Sequence, residues 1–361
     1  MPINNDFNPS ADEQPDGAKA RRPENPELNA KLDQLIESFG GTPGTFDAKL
    51  VRDLMVTALK LIPDGRNTGE LKLFANAVKE MRHGYRVFSR YHEPHKVTIF
   101  GSARTPETHP DYTACVEFSK LMAAAGWMVI TGAGMGIMRA GHVGPGRSSS
   151  FGVAIRLPFE TNANEVIAGD EKLINFRYFF TRKLMFISQA EAVALFPGGF
   201  GTLDEAFETL TLVQTGKTTP VPIIALEGTG GDYWTSWNEW VRKQLLNRGW
   251  ISEEDPGIYH IATDAVDAMS YIVKFYRNYH SSRYVGDDFV IRLRAKLRPE
   301  DVAILESEFK SLIKVGGFRL QGPLDGEDDH LELPRLVFHH TRHKFGLIHK
   351  LIRRINEFDT V

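Results

Sequence analysis

Cysteine is nearly absent from this chain. A single residue, Cys115, among 361 excludes an intramolecular disulfide and fits a reducing compartment, so the protein is expected to be cytoplasmic. Cys115 lies in an amphipathic pattern, YTACVEFSKLMAA, and reads as a small buried apolar residue, not a nucleophile. No run of 18 apolar residues occurs, so no membrane-spanning helix is expected. Neither sign of charge dominates: Lys+Arg 43 against Asp+Glu 46 gives a net charge of −3. That balance offers no bulk electrostatic basis for a nucleic acid or membrane partner, and neither is expected. Metal signatures are also missing. His339, His340, His343 and His349 crowd one segment, but no HExxH occurs and no Cys or carboxylate stands among them. They read as a solvated basic helix face.

Two phosphate loops are excluded by single residues. TGKTT (215–219) has the tail of a P-loop, but Thr211 stands where its first glycine belongs. GAGMG (132–136) lacks the third glycine of a dinucleotide fingerprint and follows the second strand of the series instead of the first.

What is present is an alternation. KVTIFGSA, WMVITGAG, FGVAIRLP, EAVALFPGG and VPIIALEG are short strand patterns with helical patterns between them. This predicts an α/β fold, a doubly wound parallel sheet of Rossmann-like type over residues 93–282, completed by a strand near 258–262 and a helix over 263–280. Residues 1–26 are polar and Pro-rich and are expected to form a disordered tail. Residues 27–92 carry three helical patterns and predict a helical extension. Residues 283–361 predict a small β-α-β-β-α module, with RYVGDDFVIRLRAKL as one strand.

Three of the predicted strands end in glycine-rich loops, GSAR, TGAGMG and PGGFGT, at the carboxyl edge where such sheets bind ligands. In PGGFGT, a helix starting near Thr202 would point free N–H groups and a partial positive charge at a phosphate. Gly198, Gly199 and Gly201 would let backbone approach the ligand and permit positive φ. Thr202 is either an N-cap or a hydroxyl donor to phosphate. Glu205 is either an acid facing the pocket or the second half of a Thr202-x-x-Glu205 capping box. Arg182 and Lys183 sit inside an otherwise apolar segment, FRYFFTRKLMF. They either meet an anion or extend their stems to solvent.

Pro197-Gly198-Gly199-Phe200-Gly201-Thr202-Leu203-Asp204-Glu205 together with Arg182-Lys183 and Met185 resembles the Lonely Guy family of phosphoribohydrolases, formerly labelled lysine decarboxylases. Phe179-Phe180 replace the Met-His common before the Arg-Lys pair, as in its longer bacterial branch. The resemblance spans roughly residues 70–280. It implies hydrolysis of the N-glycosidic bond of a nucleoside 5′-monophosphate, AMP or a cytokinin riboside 5′-monophosphate, giving free base and ribose 5-phosphate. It implies Arg182 and Glu205 as the essential pair, and a homodimer or larger homo-oligomer. Gly101, Ser102, Gly132, Gly134, Lys183, Gly198, Gly199, Gly201 and Thr202 would form the substrate and phosphate site. No cofactor and no metal are expected, and no signature of a pyridoxal phosphate site accompanies the older label. The alternative is a nucleotide sensor without catalysis, which needs the glycine loop but not the acid.

Overall fold

The computed structural model describes residues 26–93, 95–156 and 163–358. The expected N-terminal tail falls almost wholly outside the described residues. The described chain divides into two compact units, residues 26–79 and residues 80–358.

The first unit holds α1 (Pro26–Ser38), α2 (Phe46–Lys60) and the start of α3 (Thr68–Phe88). Thr45 caps α2 by accepting from the Ala48 N–H. Arg52 of α2 pairs with Asp33 of α1.

The second unit contains a seven-stranded parallel sheet. Its strands are β1 (Lys96–Phe100), β2 (Met128–Thr131), β3 (Ser150–Ile155), β4 (Leu173–Phe176), β5 (Ala192–Leu195), β6 (Ile223–Ala225) and β7 (Tyr259–Ile261). They run in the order β4-β3-β2-β1-β5-β6-β7. Helices α4 (Pro110–Ala124), α5 (Ile137–Val143), α6 (Phe179–Ser188), α7 (Phe200–Gln214), α8 (Tyr233–Val241) and α9 (Ala265–Phe275) connect them. The order reverses at β1, so β1 and β5 part their following loops and open a crevice between them. Both faces of the sheet are buried, as a parallel sheet requires. Along β1, Val97 and Ile99 enter one apolar core, while Phe100 enters the other. The doubly wound α/β architecture read from the alternation is the one observed. β4 went unread because LINF is a four-residue edge strand.

The remaining elements are β8 (Tyr279–Val285), β9 (Asp288–Leu293), α10 (Pro299–Phe309), β10 (Ile313–Gln321), β11 (Arg335–His340) and α11 (Phe345–Ile355). The four strands form an antiparallel sheet ordered β10-β11-β9-β8. The expected β-α-β-β-α order is corrected here to β-β-α-β-β-α. RYVGDDFVIRLRAKL is not one strand: it turns at Gly286-Asp287, with Gly286 at φ +59°, to make a hairpin. Its core is continuous with one side of the parallel sheet, through Ile272, Phe275, Tyr279, Leu293, Leu336 and Ile348.

The histidine segment is also corrected. His339 and His340 belong to strand β11, so His339 and His343 share no helix face. His340 and His349 are buried, and desolvation holds their pKa values down at about 4 and about 3, so both rings are neutral at pH 7. Among the described residues, no group of three or more His, Cys, Asp or Glu is arranged to hold a metal ion. Nor is any described helix long and apolar enough to cross a membrane.

Candidate active site

A cleft of about 860 Å³ opens at the carboxyl ends of β1 and β5, where the strand order reverses. The Ser102 N–H donates to the Pro197 carbonyl at 3.0 Å and the Ile137 N–H to the Ser102 carbonyl at 3.0 Å, so the loops after β1, β2 and β5 are tied together. Ser102 Oγ accepts from the Arg104 N–H at 3.1 Å, which leaves its own proton to point elsewhere. The Tyr233 hydroxyl donates to the Gly198 carbonyl at 2.7 Å and braces the β5 loop from behind. Nothing in the sequence pattern had marked Tyr233.

The glycines of PGGFGT differ in what they do. Positive φ is not their reason, contrary to expectation, since none of the three adopts it. Gly198 is a packing requirement: a Cβ there would lie 2.1 Å from Thr202 Oγ1 and 3.0 Å from the Ser102 N. A Cβ on Gly199 or Gly201 would meet nothing within 4 Å. Neither strain nor packing demands glycine at those two positions. Glycine there leaves bare backbone at the start of α7, which has no side-chain cap.

The helix begins at Phe200 with Gly199 as N-cap, two residues earlier than the motif spacing suggested. Thr202 is therefore inside the helix, and the Thr202-x-x-Glu205 capping box does not form. Glu205 instead belongs to the buried stripe Thr202, Glu205, Ala206, Thr209 and Val213, whose spacing turns one helix face inward. The stripe carries the carboxyl into the cleft wall, where Glu205 is only 6% exposed. Its Oε2 is buried without a hydrogen-bond partner. Burial pushes its pKa up to about 7, against the opposing pull of Lys183 and Arg182.

Arg182 and Lys183, adjacent on α6, face different ways. Arg182 lines the cleft, its guanidinium 5.1 Å from the Phe179 ring centroid and 5.4 Å from that of Phe186. The start of α6 is fixed from α3, where Glu80 accepts from the Arg177 N–H at 2.8 Å and the Thr181 hydroxyl at 2.9 Å. Lys183 lies outside the cleft lining, among carboxylates of α7: Asp204 at 2.6 Å, Glu208 at 2.6 Å and Glu205 at 3.9 Å. Burial alone would lower its pKa, but the hydrogen bonds to Asp204 and Glu208 outweigh that and raise it. A Schiff-base lysine needs the reverse, so Lys183 does not fit a pyridoxal phosphate site.

Of the sequence-predicted residues, the cleft brings together Gly101, Ser102, Gly132, Arg182, Gly198, Gly199, Gly201, Thr202 and Glu205. Gly134 lies outside the lining, against Met138. Beneath the β2 loop is a buried polar network that sequence reading missed. The Ala133 N–H donates to Thr131 Oγ1 at 3.0 Å, and Asn164 Nδ2 donates to the Ala133 and Gly134 carbonyls, each at 3.0 Å. His142 Nε2 lies 3.0 Å from both Thr131 Oγ1 and the Phe151 carbonyl. Ala133 itself is at φ +63°.

The family described as possible lysine decarboxylase matches residues 135–272, a span that includes Arg182 and the whole PGGFGTLDE motif. No curated protein matches the sequence significantly. Solved structures that are similar include TM1055, at 22% identity over 50% of this chain and 99% of that one, with a TM-score of 0.36. A molybdenum cofactor binding protein from Rippkaea orientalis has 18% identity over 51% and 97%, with a TM-score of 0.36. DNA processing protein A from Helicobacter pylori has 14% identity over 52% and 83%, with a TM-score of 0.35.

Proposed function

We propose that the protein hydrolyses the N-glycosidic bond of a nucleoside 5′-monophosphate, AMP or a cytokinin riboside 5′-monophosphate, to free base and ribose 5-phosphate. The observation that carries this reading is Glu205: a buried carboxyl on the cleft wall with an oxygen that makes no hydrogen bond, the sixth residue of a helix whose uncapped N-terminus faces the same cleft.

In this reading the 5′-phosphate sits on the backbone of Gly199–Thr202, with the Ser102 and Thr202 hydroxyls donating to its oxygens. The sugar then extends toward Glu205. As the C1′–N bond breaks, positive charge develops on the sugar, and the ionised Glu205 stabilises it. Glu205 takes a proton from the attacking water, whose oxygen bonds to C1′, while the bond electrons leave with the base, and the same proton is then returned from Glu205 to the departed base. A pKa near 7 suits a group that must both accept and return a proton at neutral pH. Arg182 presents a cation to the substrate and favours the ionised form of Glu205. Neither step calls on a cofactor.

A second copy of the chain is the proposed partner. Phe179, Phe180 and Leu184 expose apolar surface on α6 next to the cleft, and a homodimer would cover it. Light scattering on the purified chain checks this, and a monomer at micromolar concentration overturns it.

Incubation with AMP, GMP, CMP and a prenylated AMP, followed by chromatography of released base, tests the activity. Release from at least one is expected. Tight nucleotide binding with no release from any would reassign the protein as a sensor.

A further inference from the structure

A second, smaller cavity of about 80 Å³ lies between β8 and the segments that lead into β5 and β6. It sits at the amino-terminal side of the parallel sheet, away from the cleft, and owes nothing to the reading of Glu205. A water needs only about 10–15 Å³ of such space, so the cavity has room for a small polyatomic ligand.

His280 of β8 lines this cavity and is 7% exposed. Its Nδ1 is 2.9 Å from Ser281 Oγ, while its Nε2 is buried with no hydrogen-bond partner among the described residues. A buried ring nitrogen without a partner, facing a cavity, is open to a hydrogen bond from whatever fills that cavity. Charged groups of both signs surround it. Arg283 and Arg292 line the cavity directly. The carboxylates nearby already have cationic or N–H donors. Asp329 is 2.5 Å from Arg292 Nη2 and 3.5 Å from Arg283 Nη1, and Glu191 accepts from the Lys96 N–H at 2.8 Å. Burial and then the neighbouring His330, Arg294 and Arg292 press the His280 pKa down to about 3, so the ring is a neutral hydrogen-bonding group.

We propose that this cavity binds a small oxyanion, a phosphate or a carboxylate group, on Arg283 and the Nε2 of His280, beside an Arg292 that is held by Glu327 and Asp329. Arginine's planar fork and a neutral imidazole donor are suited to such an oxyanion. The site would join β8 of the antiparallel sheet to the segment entering β5, the strand whose far end carries the PGGFGT loop.

The full chain, labelled with 15N at histidine, is titrated separately with inorganic phosphate and with acetate, while the ring resonances are followed. A saturable shift of the His280 Nε2 signal is expected with at least one of them. A response to phosphate alone assigns a tetrahedral anion, and a response to acetate alone a carboxylate. Arg283→Gln is expected to weaken that response at least about tenfold while leaving nucleotide binding in the cleft unchanged. Gly198→Ala should do the opposite, because its Cβ meets Thr202 and Ser102 in the cleft and nothing in this cavity. His280→Gln, which keeps a polar group, serves as a second probe by calorimetry if Arg283→Gln folds poorly. An unmoved His280 signal at tens of millimolar of both anions overturns the proposal, as does a response that survives in Arg283→Gln.

Discussion

Glu205 on α7 and Glu327 in the loop before β11 are both buried glutamates beside two cations, yet they ionise in opposite senses. Glu327 accepts hydrogen bonds from the Leu324 N–H at 3.0 Å, from Arg292 at 2.7 Å and from Arg335 at 3.2 Å. Burial would raise its pKa, but those bonds outweigh burial and lower it. Glu205 has Lys183 at 3.9 Å from its Oε2, beyond hydrogen-bond reach, and that oxygen accepts no hydrogen bond. There burial prevails. A charge buried with full hydrogen bonding is architecture, and a charge buried without it is poised for chemistry.

The comparison is broken most sharply by activity. Glu205→Gln is expected to lower base release by roughly 10²–10⁴-fold while nucleotide still binds. Retained turnover would remove Glu205 from the mechanism. Next in size, Glu327→Gln should destabilise the fold by about 3–5 kcal/mol in denaturant titrations at neutral pH, because it leaves Arg335 and Arg292 buried and undercompensated. A loss below about 1 kcal/mol would show the cluster to be dispensable.

Stability against pH separates the two residues further. Glu205 titrates near 7 in the fold and near 4.5 in the unfolded chain, so its neutral form favours folding fully below 4.5 and that contribution is lost as pH rises through 7. Glu205→Gln, neutral throughout, should match the parent at pH 4.5 and exceed it by up to ~3 kcal/mol at pH 8. Glu327 runs the other way: its contribution is present above the unfolded value and lost as pH falls through its lowered one. A Glu205→Gln variant less stable than the parent at pH 8 would mean that the carboxylate is held by bonds after all. The smallest effect is on the pH profile of activity. Base release should rise as Glu205 ionises through about 7, and Lys183→Met should move that limb upward by about one pH unit, since an attractive cation is lost. An unmoved limb would detach Lys183 from the site.

The sheet was legible because fully buried parallel strands leave short apolar runs ending in glycine, and β1, β2, β5 and β6 each have that form. β4 is too short to leave such a mark. The β8–β9 hairpin had a signal in Gly286-Asp287 between two strand-forming runs, and reading them as one strand passed over it. Motif spacing singled out Arg182 and Glu205, which both line the cleft, but misassigned the local geometry. Thr202-x-x-Glu205 satisfies a capping pattern on paper, and only the start of α7 at Phe200 shows that the pattern is unused. Lys183 was read as a phosphate ligand because its partners, Asp204 and Glu208, come from another helix. His280 and Arg283 carried no local pattern at all, since their cavity exists only where two sheets meet.

Ala133 bears on how the cleft binds. An alanine at φ +63° is held there by Thr131 and Asn164, where a glycine would sit without strain. Alanine samples fewer backbone states than glycine in the unfolded chain. The loop after β2 thus loses its freedom when the protein folds, not when a ligand arrives. Association at this wall of the cleft should carry a small entropic penalty and need little rearrangement, so a ligand meets a surface already in its bound shape.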